Sequence, residues 1–508
     1  MLDRAGQAVL GPADGPQPLV NAEVDGDLGD RSVGEDDPAV GVILMYVESF
    51  GNPVRFREIA SRVARKKPIV ALKAGRTRAG ARAAASHTGA LAAQDIAVDA
   101  LLAQAGVLRA ASVEELFDIA MAVGVQPLPR AARTAVVTNS GGPGILAADA
   151  LETQGLELPA LHPDTVARLR PLLPETASLR NPVDLLATVR PPTYRAALEA
   201  VLADPGIDAV VAIFVPPLGV RQEDVAEAIV AAARHWRTKP VLAVLMGREG
   251  LPQGRAELHA LGIPAYTFPE SAARALGALH RYRTWLDRPP AAPAPLVIDH
   301  ARAAAVVVRA RQEGRHRLDT LEALELAAAY GIPTAPARLA TSPEEAARAA
   351  AELGFPVALK VSSPDILHKS DIGGVRLDVR DSGQARAAYE EIVAAARAFA
   401  PAARIAGVLV QKQVAGGREV IVGVARDPLF GPVVMFGLGG IFVEVLRDVS
   451  FRLAPIDSRE AADMVRSIRG APILAGLRGQ PPADTDAIAE ALQRMARLAA
   501  DQIGRAHV

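Results

Sequence analysis

The chain contains no cysteine. That excludes disulfides, thiolate-bound metals and a cysteine nucleophile, while leaving the compartment open. Aromatic residues make up only 4% of the sequence, so the stacking surfaces of single-strand nucleic-acid binders are not expected. No signal peptide is expected, and no long apolar run survives interruption by Arg, Asp and Glu. An excess of one charge is missing too: the formal net charge is -1, which argues against a polyelectrolyte partner. Neither nucleic acid nor membrane is expected as a partner, and the cytoplasm is the expected compartment.

What is present is a long, half-hydrophobic chain of 508 residues, enough for roughly three domains rather than one core. Residues 1–38 are rich in Gly, Asp and Pro without a sustained period and are expected to be a disordered or non-native leader. From residue 39 to 127 the pattern alternates: strands over 42–47 and 68–72, helices over 54–65, 90–104 and 113–123. A second α/β unit is expected over 131–288, with strands at 134–138, 209–215, 241–246 and 262–266 and a helix at 144–153. The Pro-rich stretch 289–300 reads as a linker. The last block, 301–502, has a helix at 320–330 and strands at 357–362, 408–414, 419–425 and 433–437, a mixed order that predicts α+β.

Three stretches carry chemistry. His87 lies in Ala-Ala-Ala-Ser-His-Thr-Gly-Ala before an Ala-rich helix. Ser86 or Thr88 could cap that helix and leave N–H groups for an anion, and a neutral imidazole can attack phosphorus. Such a histidine needs a carboxylate to orient its other nitrogen, and Glu48 at the end of the preceding strand is the candidate. The plainer alternatives are an incidental histidine beside a cap and a surface glutamate. Ser140-Gly141-Gly142-Pro143-Gly144 follows a strand and opens a helix; it suits either an anion cradle or a tight turn. In the last block, Lys360 could place a positive charge on nucleotide phosphates, with the Gly373-Gly374 turn above them. A strand-edge lysine and a hairpin turn are the alternatives.

From about residue 40 to 501 the chain resembles the NDP-forming acyl-CoA synthetases, the ADP-forming acetate–CoA ligases related to succinyl-CoA synthetase. The motifs are Ala-Gly-Ala-Arg-Ala-Ala-Ala-Ser-His-Thr-Gly-Ala (79–90), residues 139–144, Arg180-Asn181-Pro182-Val183-Asp184, residues 368–375 and residues 436–455. The resemblance implies two flavodoxin-like domains followed by an ATP-grasp domain. It makes His87 the phosphorylated histidine, Glu48 its supporting carboxylate and His368 a second histidine that ferries the phosphoryl group. Ser140, Gly141, Gly142 and Gly144 would hold phosphate at one helix N-terminus, Thr88 and Gly89 at another. Lys360, Gly373, Gly374 and Val375 match nucleotide contacts, with Gln411 and Glu419 nearby. The implied cofactors and substrates are ATP or ADP, Mg²⁺ and CoA, and the implied reaction is the reversible ligation of a carboxylate with CoA, using ATP and giving acyl-CoA, ADP and phosphate, with acetate as the expected acid. The intact enzyme is expected to be oligomeric.

Two departures accompany the resemblance. The N-terminal CoA-binding domain usual in the family has no counterpart, so the CoA site is expected to be incomplete. The C-terminal Glu-x-Asn-Pro-type motif that helps bind metal has none either; Glu444 is the remaining candidate ligand, and the last six residues resemble translated adapter sequence. A fragment of a longer gene product is expected, and its own turnover is open. A regulatory part of a protein acetyltransferase and an inactive fragment are the competing readings. The motifs leave the acyl group, the nucleotide base, the direction of flux and the oligomeric state open.

Overall fold

The apolar runs of the first two blocks are too short for helices and carry no polar alternation, the mark of parallel strands covered on both faces. A computed structural model describes residues 19–23, 35–48, 50, 52–76, 95–217, 219–247, 254–289, 295–366, 369–414, 416–440, 448–476 and 479–502. It places these runs in two all-parallel sheets. The first, in the order β1-β2-β3-β4, is built from Leu19–Glu23 (β1), Val42–Val47 (β2), Ile69–Lys73 (β3) and Leu108–Ala110 (β4). The second takes Thr134–Thr138 (β5), Val183–Asp184 (β6), Ala209–Phe214 (β7), Val241–Leu245 (β8) and Ala265–Tyr266 (β9) in the order β6-β5-β7-β8-β9. This is the flavodoxin-like order, in which the winding reverses between β5 and β7.

The leader expected over 1–38 is corrected in two places. Leu19–Glu23 pairs in parallel with residues 42–46, because the outer edge of β2 would otherwise present a row of unpaired backbone groups. Glu35 is buried and takes up Arg62 and Lys66 at 2.8 Å each, charges that a loose leader would leave in water. The helix expected over 144–153 starts earlier, at Gly141. The Gly-Gly-Pro-Gly run costs little there, since the first-turn N–H groups are unbonded in any helix.

The two parallel sheets share a helix. Pro269–Leu286 follows β9, yet its Ala278 and Tyr282 lie in the core of the first sheet, while Ala272, Leu276 and Leu279 lie in the second. The ends of two helices cap each other. The buried Tyr282 hydroxyl donates to Ala64 O at 2.6 Å, at the C-terminus of Pro53–Ala64, and Arg65 Nη1 donates to Leu286 O at 2.7 Å. Both acceptors are carbonyls that a helix end leaves without a partner. Arg65 also stacks 4.4 Å over the Trp285 ring. At Gly106, φ +74°, a Cβ would come within 2.3 Å of that ring, so only glycine fits.

The third block is a separate compact unit, 291–427 and 431–508, and it is α+β. Ala337–Ala340 (β10), Val357–Ser362 (β11), Val375–Val379 (β12) and Gly407–Lys412 (β13) form an antiparallel sheet ordered β10-β13-β11-β12. Val420–Asp427 (β14), Gly431–Leu438 (β15) and Val449–Leu453 (β16) form a second. Helices Pro343–Leu353 and Ser382–Phe399 cover one face of the first sheet, meeting Val357, Leu359, Val361, Val408 and Val410. Helices Ser458–Ser467 and Thr485–Gln502 cover the second.

If the shared helix joins the parallel sheets, Tyr282→Phe should cost about 1 kcal/mol by orphaning the Ala64 carbonyl. Tyr282→Ala should cost about 3 to 5 kcal/mol by opening a cavity as well. Urea denaturation checks both.

Candidate functional site

At the reversal point of the second sheet the chain leaves β5 as Asn139-Ser140-Gly141-Gly142-Pro143-Gly144. Asn139 is buried, and its amide bridges the ends of two strands. Nδ2 donates to Val215 O and Oδ1 accepts from Val215 N, both at 2.8 Å. This clamp holds the carboxyl ends of β5 and β7 together at the place where such sheets bind ligands. Ser140 N donates to Thr138 Oγ1 at 3.0 Å, and Thr138 Oγ1 donates to Ser140 O at 2.9 Å, so the turn is rigid before the helix begins.

Ser140 is the extended N-cap residue of Gly141–Thr153, yet its hydroxyl makes no capping bond. The first helical N–H groups therefore keep no capping partner and point out of the helix end, where the dipole favours an anion. The three glycines differ. A Cβ at Gly144 would meet Thr138 Cγ2 at 3.0 Å, so this glycine serves helix-to-strand packing. At Gly141 it would lie 3.2 Å from Asp184 Oδ2; at Gly142 it would meet nothing within 4 Å. The open approach is thus over Gly142. The motif 180–184 fastens the strand that leads into this turn. Asn181 Nδ2 donates to Thr134 O and Pro159 O at 2.8 and 3.1 Å, and its Oδ1 accepts from Val136 N at 3.0 Å.

Glu48 follows β2, beside Lys73, the last residue of the neighbouring β3. Lys73 is buried and donates to Ala74 O. Burial holds its pKa below the ordinary lysine value; the charge of Arg109 pushes the same way, and Asp95 and Glu48 oppose them. His87, Thr88 and Gly89 lie outside the described residues, as do His368 and Glu444.

In the third block, strand alternation decides which side chains meet. Val357, Leu359 and Val361 face the covering helices, so Lys360 faces the other way; Val408 and Val410 do the same for Gln411 on β13. Lys360 pairs with Leu409 and Ala358 with Gln411, which makes Lys360 and Gln411 diagonal neighbours. Lys360 Nζ donates to Gln411 Oε1 at 3.0 Å. A residue that the motif reading gave no role joins them. Lys369 Nζ donates to Thr320 Oγ1 at 3.1 Å. Its pKa is lowered first by burial and then by the charge of Lys360, while Asp319 opposes both. Among the described residues neither lysine has a carboxylate at ion-pair distance. Thr320 is held in place by the capping box of its helix, where Asp319 and Glu322 exchange bonds. Arg315 hydrogen-bonds Glu322 and brings its pKa down to about 2.

Gly373 and Gly374 deliver the chain from this lysine into β12. Gly373 has φ +70°, Gly374 N donates to Lys369 O at 2.8 Å, and Val375 pairs with Lys360. A Cβ at Gly374 would press on Lys369 O at 2.8 Å and Val361 Cγ1 at 2.9 Å. Lys360, Lys369, Gln411 and the 373–375 turn are thus brought together. Glu419, just before β14, lies against the 439–440 turn, with its carbonyl accepting from Gly439 N at 2.8 Å. Among the described residues no group of three or more His, Asp or Glu side chains could hold a metal ion.

Comparison with known proteins agrees with this layout. Residues 25–123 match the succinyl-CoA ligase like flavodoxin domain, 134–288 the Ligase-CoA domain and 309–504 an ATP-grasp domain. An ADP-forming acetate–CoA ligase I of Archaeoglobus fulgidus is 40% identical over 466 residues, 92% of this chain and 66% of its own length. A 4-hydroxybutyrate–CoA ligase (ADP-forming) of Nitrosopumilus maritimus is 37% identical over 462 residues, 91% and 66%. The beta subunit of acetate–CoA ligase (ADP-forming) I of Pyrococcus furiosus is 45% identical over 199 residues, 39% of this chain and 85% of its own. The chain belongs to the NDP-forming acyl-CoA synthetase family, and it spans about two thirds of the length of the first two relatives.

Lys369 supplies a prediction. A lysine whose folded pKa is depressed binds fewer protons folded than unfolded between the two values, so stability rises with pH across that window. The unliganded chain should gain stability as pH climbs from the folded pKa of Lys369 toward the ordinary 10.5. Lys369→Met should flatten that gain, as read by urea midpoints at a series of pH values.

Proposed function

We propose that this chain carries the phosphoryl-transfer core of a reversible acyl-CoA synthetase of the NDP-forming type. The net reaction is carboxylate, ATP and CoA to acyl-CoA, ADP and phosphate. The observation that carries the reading is the half-buried pair Lys360 and Lys369, held by Gln411 and Thr320 and unmatched by carboxylates among the described residues, inside an ATP-grasp domain. Two ammonium groups left with neutral partners suit a polyphosphate, which supplies the missing negative charge.

In the acyl-CoA-consuming direction, a phosphate oxygen attacks the thioester carbonyl and CoA leaves as the thiolate, giving an acyl phosphate. A ring nitrogen of His87 then attacks its phosphorus and the carboxylate leaves. A β-phosphate oxygen of ADP finally takes the phosphoryl group from His87, directly or through His368. The first-turn N–H groups at Gly141 and Gly142, with Ser140 and Gly144 shaping the turn, would hold phosphate opposite a second helix start at Thr88 and Gly89. Glu48 would orient the imidazole of His87. Lys360, Lys369, Gln411 and the turn through Gly373, Gly374 and Val375 would hold the nucleotide phosphates, with Glu419 near the nucleotide. Division into a phosphohistidine step and a nucleotide step lets thioester and nucleotide occupy different pockets.

Acetate is the acid of choice in this reading, although a relative named for 4-hydroxybutyrate shows that the family's layout accommodates another acid. A relative whose third-block counterpart is a separate beta subunit supports an oligomeric assembly. A cytoplasmic enzyme fits a chain in which no described helix is long and apolar enough to cross a membrane.

The test is incubation with γ-labelled ATP and Mg²⁺. Acid-labile, base-stable label should appear on the protein and vanish in His87→Ala. Lys360→Ala should cut its rate of formation about tenfold or more, the loss of a charge-assisted phosphate contact. Absence of label in the native protein would favour a nucleotide-sensing role over catalysis.

A further inference from the structure

At the amino-terminal end of the second sheet, away from the 140–144 turn, a cavity of about 330 Å³ opens where residues 124–127 cross the start of β8. That is near the lower bound of about 300 Å³ for small-molecule sites. It sits on a seam. Gly124 and Val125 end the last helix of the first sheet's block, whereas Val241 and Ile263 lead into β8 and β9. Gln126 stitches the seam, donating from Nε2 to Gly262 O at 2.5 Å and accepting at Oε1 from Val241 N at 2.7 Å. Its amide is therefore committed.

The charged lining is all of one sign. Arg234, Arg237 and Lys239 line the cavity together with Trp236, and among the described residues no carboxylate does. Lys239 is committed as well: it donates to Leu202 O and Asp204 O at 2.8 and 2.6 Å and sits 5.6 Å from the Trp236 ring centre. Arg234 and Arg237 are exposed, and among the described residues neither guanidinium has a hydrogen-bond or ion-pair partner. Arg234 follows the helix Gln222–Ala233, where a cation favours the carbonyl end of the dipole. That accounts for Arg234 alone. It does not account for Arg237, for the indole wall or for the concave shape.

We propose that this cavity binds a small planar ring carrying an oxyanion, with the ring against Trp236 and the oxyanion on the guanidinium forks of Arg234 and Arg237. The seam makes it an effector site. A ligand there touches both the end of the first block and the start of β8, remote from the carboxyl ends of the strands where chemistry occurs in such folds. The same chemistry describes a nucleoside monophosphate and an aryl carboxylate.

The test titrates the full chain with AMP and, separately, with benzoate, following tryptophan fluorescence. Both titrations are repeated in Lys360→Ala, which removes the proposed nucleotide station, and in the double variant Arg234→Ala with Arg237→Ala. One ligand should give a saturable change that survives Lys360→Ala and weakens about tenfold or more in the double variant. A response to AMP assigns the nucleotide source, and a response to benzoate the carboxylate. The proposal is overturned if neither ligand saturates, or if the double variant binds as tightly as the native chain.

Discussion

Two ammonium groups brought near each other repel, and burial strengthens the repulsion by removing water. Lys360 and Lys369 are in this position, and the third block is arranged to hold them there. Strand alternation puts Lys360 on the face away from the covering helices. Gln411 accepts from it as a diagonal neighbour, and Thr320, fixed by a capping box, accepts from Lys369. Gly374 lets the backbone close against Lys369 where any side chain would collide. Neutral acceptors orient the ammonium groups without cancelling them. In the proposed function, an arriving polyphosphate would supply the negative charge that these partners lack.

The parallel half solves a related problem with backbone instead of charged side chains. At the 140–144 turn the helix aligns its first N–H groups at the reversal point of the strand order. The Asn139 amide clamp to Val215 keeps the crevice from spreading, and Asn181 ties β5 from the other side. The shared helix Pro269–Leu286 gives both parallel sheets one core wall, so this station rests on a body larger than its own sheet.

Much of this was legible in the sequence, and the failures have physical causes. The strands Thr134–Thr138 and Val357–Ser362 agree with their expected bounds, because apolar runs of five or six residues between turn signals have little alternative. The helix at Gly141 begins three residues before its expected start, since glycines and proline read as breakers although a first turn tolerates them. β12 has an exposed, charged middle and gives no apolar signal; its partner β11 supplies the pairing. Lys360, Gln411 and the 373–375 turn were nameable from motifs, but Lys369 was not, because what marks it is Thr320, 49 positions away. The strand Leu19–Glu23 was hidden by the composition around it and exists through the free edge of β2.

The central claim is that Lys360 and Lys369 form one phosphate-holding unit serving a phosphoenzyme. ADP–ATP exchange measures this most directly, because it requires neither CoA nor a carboxylate. Labelled ADP, unlabelled ATP and Mg²⁺ are incubated with the chain, and label entering ATP is followed. The native chain should catalyse exchange, and Lys360→Met and Lys369→Met should each reduce it by about tenfold or more, the scale of a lost charge-assisted contact. Exchange at the native rate in both variants would contradict the account.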